Sequence, residues 1–102
     1  MRVIKASTVR GWGKQVPVAV PFLEHWLSVT TDADWENFPA VRATFPHADM
    51  VAVASGRSVV IFNVAKTGYR LITAIHYNRG IVYTLLFLKH SEYEKGKWKD
   101  HL

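Results

Sequence analysis

The stretch from Ser58 to Leu88 constrains the chain more than any other part of it. Ser58 to Val64, Tyr69 to Tyr77 and Ile81 to Leu88 are rich in Val, Ile, Tyr, Phe and Thr, the residues that suit a pleated sheet. Compact turn signals frame and separate them: Ser55-Gly56, Lys66-Thr67-Gly68 and Asn78-Arg79-Gly80. Connections this short join antiparallel neighbours, because a parallel crossover needs about a dozen residues or more. The C-terminal half is therefore expected to be an antiparallel meander.

The N-terminal half reads differently. Arg2-Val3-Ile4-Lys5 alternates and suggests a first strand. Ser7 or Thr8 is placed to cap a helix running to about Gln15, with Gly11 and Gly13 each weakening it by about 1 kcal/mol relative to Ala. A second helix fits Val20 to Val29, where Leu23, Trp26 and Leu27 fall at helical spacing. Asp32 to Asn37 is polar and turn-like, and Pro39 starts a short helical turn that ends before Pro46. Ser91, with Glu92 and Glu94 behind it, suits the first turn of a short last helix. The expectation is one α+β domain over residues 1–102, with two N-terminal helices on one face of the sheet. The other face is then free for a ligand.

Composition removes several kinds of chemistry. No cysteine is present, so disulfides, thiol nucleophiles and cysteine zinc sites are excluded. The five histidines, His25, His47, His76, His90 and His101, show no metal-ligand spacing, and no glycine-rich phosphate loop occurs. Neither a metal nor a cofactor is expected. The longest apolar run, Ile81 to Leu88, is too short to span a bilayer and misplaced for a signal peptide, which points to a cytoplasmic protein without membrane contact. The formal charge of +5 arises in the second half, where eight basic residues face only Glu92, Glu94 and Asp100. That asymmetry suits a polyanionic partner, although Lys95, Lys97 and Lys99 would equally form a solvated tail.

Arg70 is the most informative single residue. It shares one strand face with Ile72, Ala74 and His76, and a guanidinium among apolar neighbours either pairs with a carboxylate across the sheet or faces an anion. His90 and Tyr93, three residues apart after the last strand, share one side of a helical turn and could exchange protons or contact phosphate and sugar oxygens.

Beyond these local readings, Val60-Ile61-Phe62-Asn63-Val64, Gly68-Tyr69-Arg70-Leu71, Ile75-His76-Tyr77 and His90-Ser91-Glu92-Tyr93-Glu94 resemble the HigB-type toxins of the RelE/ParE-like superfamily. Trp26, Ala33-Asp34-Trp35 and the run Pro39 to Asp49 follow the same pattern in order, so the resemblance spans nearly the whole chain. It implies a RelE-like sheet, ribosome-dependent cleavage of translated mRNA, and neutralisation by a HigA-like antitoxin through which any DNA contact would come. The resemblance picks out Arg57, Asn63, Arg70, His90 and Tyr93; Arg70, His90 and Tyr93 are the expected catalytic residues, and Arg57, Asn63, His76, Lys89 and Lys95 the expected RNA contacts. One departure stands out: Leu85 occupies a position where such toxins commonly carry arginine, and Leu88-Lys89 replaces a usual Gly-Thr. Leu85 favours a ParE-like gyrase poison that cuts no RNA, whereas His90 and Tyr93 favour the nuclease; a non-catalytic RNA-binding domain is a third reading, which requires that expression be harmless.

Overall fold

A computed structural model describes residues 1–64 and 66–102. Strand β1 (Arg2–Ile4) leads into helix α1 (Ala6–Gln15), a 3-10 turn (Pro17–Ala19) and helix α2 (Val20–Asp32). Helix α3 (Phe38–Thr44) precedes β2 (Asp49–Ala52), β3 (Ser58–Val64), β4 (Tyr69–His76) and β5 (Ile81–Lys89). Helix α4 (His90–Lys95) and a closing 3-10 segment (Lys97–His101) end the chain. The sheet order is β1-β5-β4-β3-β2, antiparallel throughout β2 to β5, so the expected meander is present. The outer strand β1 runs parallel to β5, and α1 and α2 lie in the long connection that such a pairing requires.

Local details differ from the sequence expectations for identifiable reasons. Helix α1 begins at Ala6, before Ser7 and Thr8, because Lys5 takes the left-handed conformation (φ 66°) and turns the chain sharply out of β1. No side chain caps it. Gly13 earns its place through close approach: a Cβ there would stand 3.1 Å from a Val20 methyl, where α2 begins. Helix α2 extends past Val29 to Asp32, since Thr30 continues the buried stripe of Leu23, Trp26 and Leu27. Asn37 caps α3 by accepting the Ala40 amide at 3.0 Å, with Pro39 in the first turn. The short edge strand β2 was not expected. Its residues are mostly exposed and lack the apolar alternation that marks a half-buried strand.

The helices cover one sheet face, as expected. Phe62 on β3 is wholly buried there, with Trp26 edge-on at 5.4 Å, Phe45 edge-on at 5.2 Å and Trp35 stacked at 6.4 Å between ring centres. Leu23, Val41, Leu71 and Val82 complete this main core.

The opposite face is not free, and here the sequence reading needs correction. Trp98, only 6 % exposed, folds back over Val59, Ile61 and Ile72 and forms a second core with Val53. Its indole nitrogen donates to the Tyr93 carbonyl at 3.0 Å, and the Ala54 amide donates to the Lys99 carbonyl at 3.1 Å. A bulge in β5 helps, because Ile72 pairs with Leu86 and Thr73 with Thr84, leaving Leu85 as an extra residue. Leu85 and Leu86 consequently both pack on the second face.

Trp98→Ala should therefore lower unfolding stability by about 3–5 kcal/mol in denaturant titrations, the usual cost of emptying a buried aromatic site. Lys97→Ala, one residue away, should stay within about 0.5 kcal/mol. Equal behaviour of the two variants would mean that the closing segment is not packed on the sheet.

Candidate functional site

The β3–β4 register sets Asn63 directly opposite Arg70. Arg70 Nη1 donates to the Asn63 side-chain carbonyl at 2.7 Å and to its neighbour's carbonyl, that of Tyr69, at 3.3 Å. Nη2 lies 3.1 Å from His90 Nδ1, and the guanidinium carbon stands 5.8 Å from the centre of the Tyr93 ring. Among the described residues, no carboxylate forms an ion pair with Arg70. Of the two readings of this arginine, the cross-sheet salt bridge is thus not formed. The cation is oriented on several sides by neutral groups and keeps its charge for an anion.

His90 and Tyr93 reach Arg70 because β5 runs straight into α4. Lys89, in extended conformation, is the helix cap, and the His90 amide donates to the Gly68 carbonyl at 2.6 Å. Gly68 sits at φ +74°, a conformation that glycine takes without strain, so the β3–β4 turn fixes where α4 begins.

A guanidinium has donors only, so His90 Nδ1 must accept and the ring proton in this arrangement resides on Nε2. Nε2 faces Glu94 Oε1 at 3.5 Å. Both ring nitrogens are therefore engaged, and His90 holds Arg70 in position. Tyr93 carries a raised pKa, chiefly from burial and secondarily from the negative charge of Asp49, with Arg70 opposing and Glu94 adding to the rise. Its hydroxyl is a proton donor throughout the neutral range.

Arg70, Asn63 and Tyr93 line a cleft of about 290 Å³ together with Ile61, His47 and Asp49. The last two were not singled out in the sequence as residues of this site. In the sequence His47 shows no metal-ligand spacing and Asp49 counts only as a charge, although both fall in the Pro39–Asp49 run that resembles the toxin family. No group of three or more potential metal ligands occurs among the described residues.

The remaining expected RNA-contacting residues lie elsewhere. Arg57 and His76 line a larger cavity of about 660 Å³ with Val59, Ala74, Tyr83 and Leu85, and the His76 ring is edge-on to Tyr83 at 5.1 Å. The leucine that replaces the common arginine thus belongs to this second cavity and not to the Arg70 cleft. Lys89 is exposed at the start of α4. Lys95 is paired with Glu92 at 3.3 Å on its far end.

A family model described as HigB_toxin, RelE-like toxic component of a toxin-antitoxin system, matches residues 20–96. No curated protein matches the chain.

Two outcomes follow from this geometry. Arg70→Ala should change unfolding stability by less than about 1 kcal/mol, whereas loss of a buried ion-pair partner would cost about 3–5 kcal/mol. The second outcome concerns alkaline pH. Because the folded state holds the Tyr93 proton more tightly than the unfolded chain, its contribution to stability is complete below the ordinary tyrosine value of 10.0 and fades as the pH rises through the raised value. Tyr93→Phe should flatten the alkaline fall of the denaturation midpoint, and an unchanged fall would place the Tyr93 hydroxyl in ordinary solvent.

Proposed function

Since the chain belongs to the HigB_toxin family and is the RelE-like toxic component of a toxin–antitoxin system, we propose that it poisons translation as a ribosome-dependent endoribonuclease of mRNA. The observation that carries this reading is that Arg70 forms no ion pair among the described residues and is held by Asn63 and His90 beside the ring of Tyr93, whose hydroxyl keeps its proton. RNA supplies its own nucleophile. Its 2′-hydroxyl attacks the adjacent phosphorus, and the enzyme has to align the attack, stabilise the added negative charge and protonate the leaving 5′-oxygen.

Arg70 meets the second need. Its planar fork addresses two non-bridging phosphate oxygens, and a preorganised donor of this kind is worth roughly 3–4 kcal/mol of barrier. Tyr93 meets the third, since a hydroxyl that keeps its proton can give it to the departing oxygen, an effect of about 10²- to 10⁴-fold. His90 contributes by fixing the guanidinium. Arg57, His76, Lys89 and Lys95 take the flanking phosphates or bases, in keeping with the basic second half of the chain. The reaction takes place in the cytoplasm, on ribosomes. A HigA-like antitoxin blocks it by covering the Arg70 cleft or holding the protein off the ribosome. Contact with DNA comes only through that partner. A gyrase poison, or a domain that merely binds RNA, has no use for an arginine and a proton donor converging on one cleft.

Expression in a bacterium should arrest growth and produce mRNA 5′ ends within translated codons. DNA damage signalling with intact mRNA would refute the nuclease reading. Arg70→Ala and Arg70→Lys should both abolish cleavage while remaining folded, because a point charge does not replace a planar fork. Co-expression of the product of the neighbouring reading frame should restore growth by binding the toxin. Failure to bind would remove the proposed antitoxin.

A further inference from the structure

Building on the nuclease reading, we infer that His47 is the base that takes the proton from the ribose 2′-hydroxyl, across the cleft from Arg70. The proposed mechanism needs a group that accepts a proton, and two histidines stand close enough to the site to be considered. His90 is committed: Nδ1 accepts from Arg70 and Nε2 faces Glu94. The His47 side chain is exposed and makes no hydrogen bond or ion pair among the described residues. His47 lines the same cleft as Arg70 and Tyr93.

The backbone beneath His47 is nevertheless held firmly. On one side Arg42 Nη2 donates to the Pro46 carbonyl at 3.2 Å. On the other, the Ala48 amide donates to the Phe45 carbonyl at 2.9 Å and the Ala48 side chain is buried in the main core. A side chain free to exchange a proton on a fixed backbone is what a general base requires. The charged and titratable groups around it are Asp49 from β2, Arg70 from β4 and Tyr93 from α4, with His25 of α2 lying edge-on to Phe45 behind the loop. Asp49 is itself oriented, since its Oδ1 accepts the Met50 amide at 2.9 Å.

The step balances without any further reactant. His47 takes the 2′-hydroxyl proton, the 2′-oxygen bonds to phosphorus, and the bond from phosphorus to the 5′-oxygen breaks. The leaving oxygen takes the Tyr93 proton. Products are a 2′,3′-cyclic phosphate and a 5′-hydroxyl, with the His47 proton returned to Tyr93 through solvent. Nothing is oxidised or reduced.

The test measures cleavage of mRNA on ribosomes as a function of pH for the full chain and its His47→Gln, His47→Ala, Asp49→Asn and His90→Gln variants, with thermal melts alongside. His47→Gln should lower kcat by about 10²- to 10⁴-fold with little change in KM. It should also lose the fall in rate on the acid side of neutrality that a histidine base imposes. Added imidazole should partly restore His47→Ala, which gives a second readout should the glutamine variant fold poorly. His90→Gln should be slower yet retain the acid-side fall. Wild-type cleavage together with an unaltered His47→Gln rate and profile would overturn this inference alone, as would loss of the acid-side fall in Asp49→Asn or His90→Gln instead. Absence of cleavage by the wild-type protein would overturn the nuclease reading and this inference with it.

Discussion

The hydrogen bond from Arg70 to the side chain of Asn63, 2.7 Å long, joins two residues that face each other directly across β3 and β4. A slip of one residue in that register would turn one of the two side chains into the helix-covered core and break the pair. The register is secured by the apolar partners along the same ladder, Ile61 against Ile72 and Phe62 against Leu71. The Gly68 turn then fixes the start of α4, which brings His90 and Tyr93 to the guanidinium. Position, orientation and an uncancelled positive charge all follow from this pairing. Burying an arginine without a partner would be prohibitive, and hydrogen bonds to neutral groups at a half-exposed strand end keep the cost small.

The division of labour between the sheet faces explains why the cleft is where it is. The helix side carries the large aromatic core. On the other side, β3 and β4 present Asn63 with Arg70 at one end and Ile61 with Ile72 in the middle, and at the far end His76 of β4 shares a cavity with Arg57, which precedes β3. Six strand positions separate Arg70 from His76, roughly 20 Å at the usual rise per residue. Trp98 covers the middle. The closing segment thereby divides one basic face into two separate depressions, a small polar one at Arg70 and a larger, more apolar one at Arg57.

That division also shows what could and could not be read from the sequence. The strand Ser58–Val64 was legible to the residue because β-branched composition and turn signals agree there, and Arg70, His90 and Tyr93 were legible as a group because β5 leads directly into α4. The parallel pairing of β1 with β5 was not, since nothing local links residues so far apart in the chain. Trp98 was not legible as a core residue, because one aromatic residue among charges carries no periodic signal of burial. Strand alternation correctly placed Arg70 and His76 on one face but says nothing about the distance between them or about what lies over the residues in between. His47 and Asp49 escaped notice as residues of the cleft because they come from a loop and an edge strand, where position depends on tertiary packing.

In the proposed reaction Arg70 holds the scissile phosphate of an mRNA in translation. The most direct measurement is the structure of the toxin on a ribosome whose mRNA carries a 2′-O-methyl group at the cleavage position, so that attack is blocked and the complex persists. The expected result is a phosphate within hydrogen-bond distance of the Arg70 guanidinium, with the Tyr93 hydroxyl at its 5′-oxygen. An mRNA seated only in the Arg57–His76 cavity, or a toxin that leaves the mRNA untouched, would contradict it.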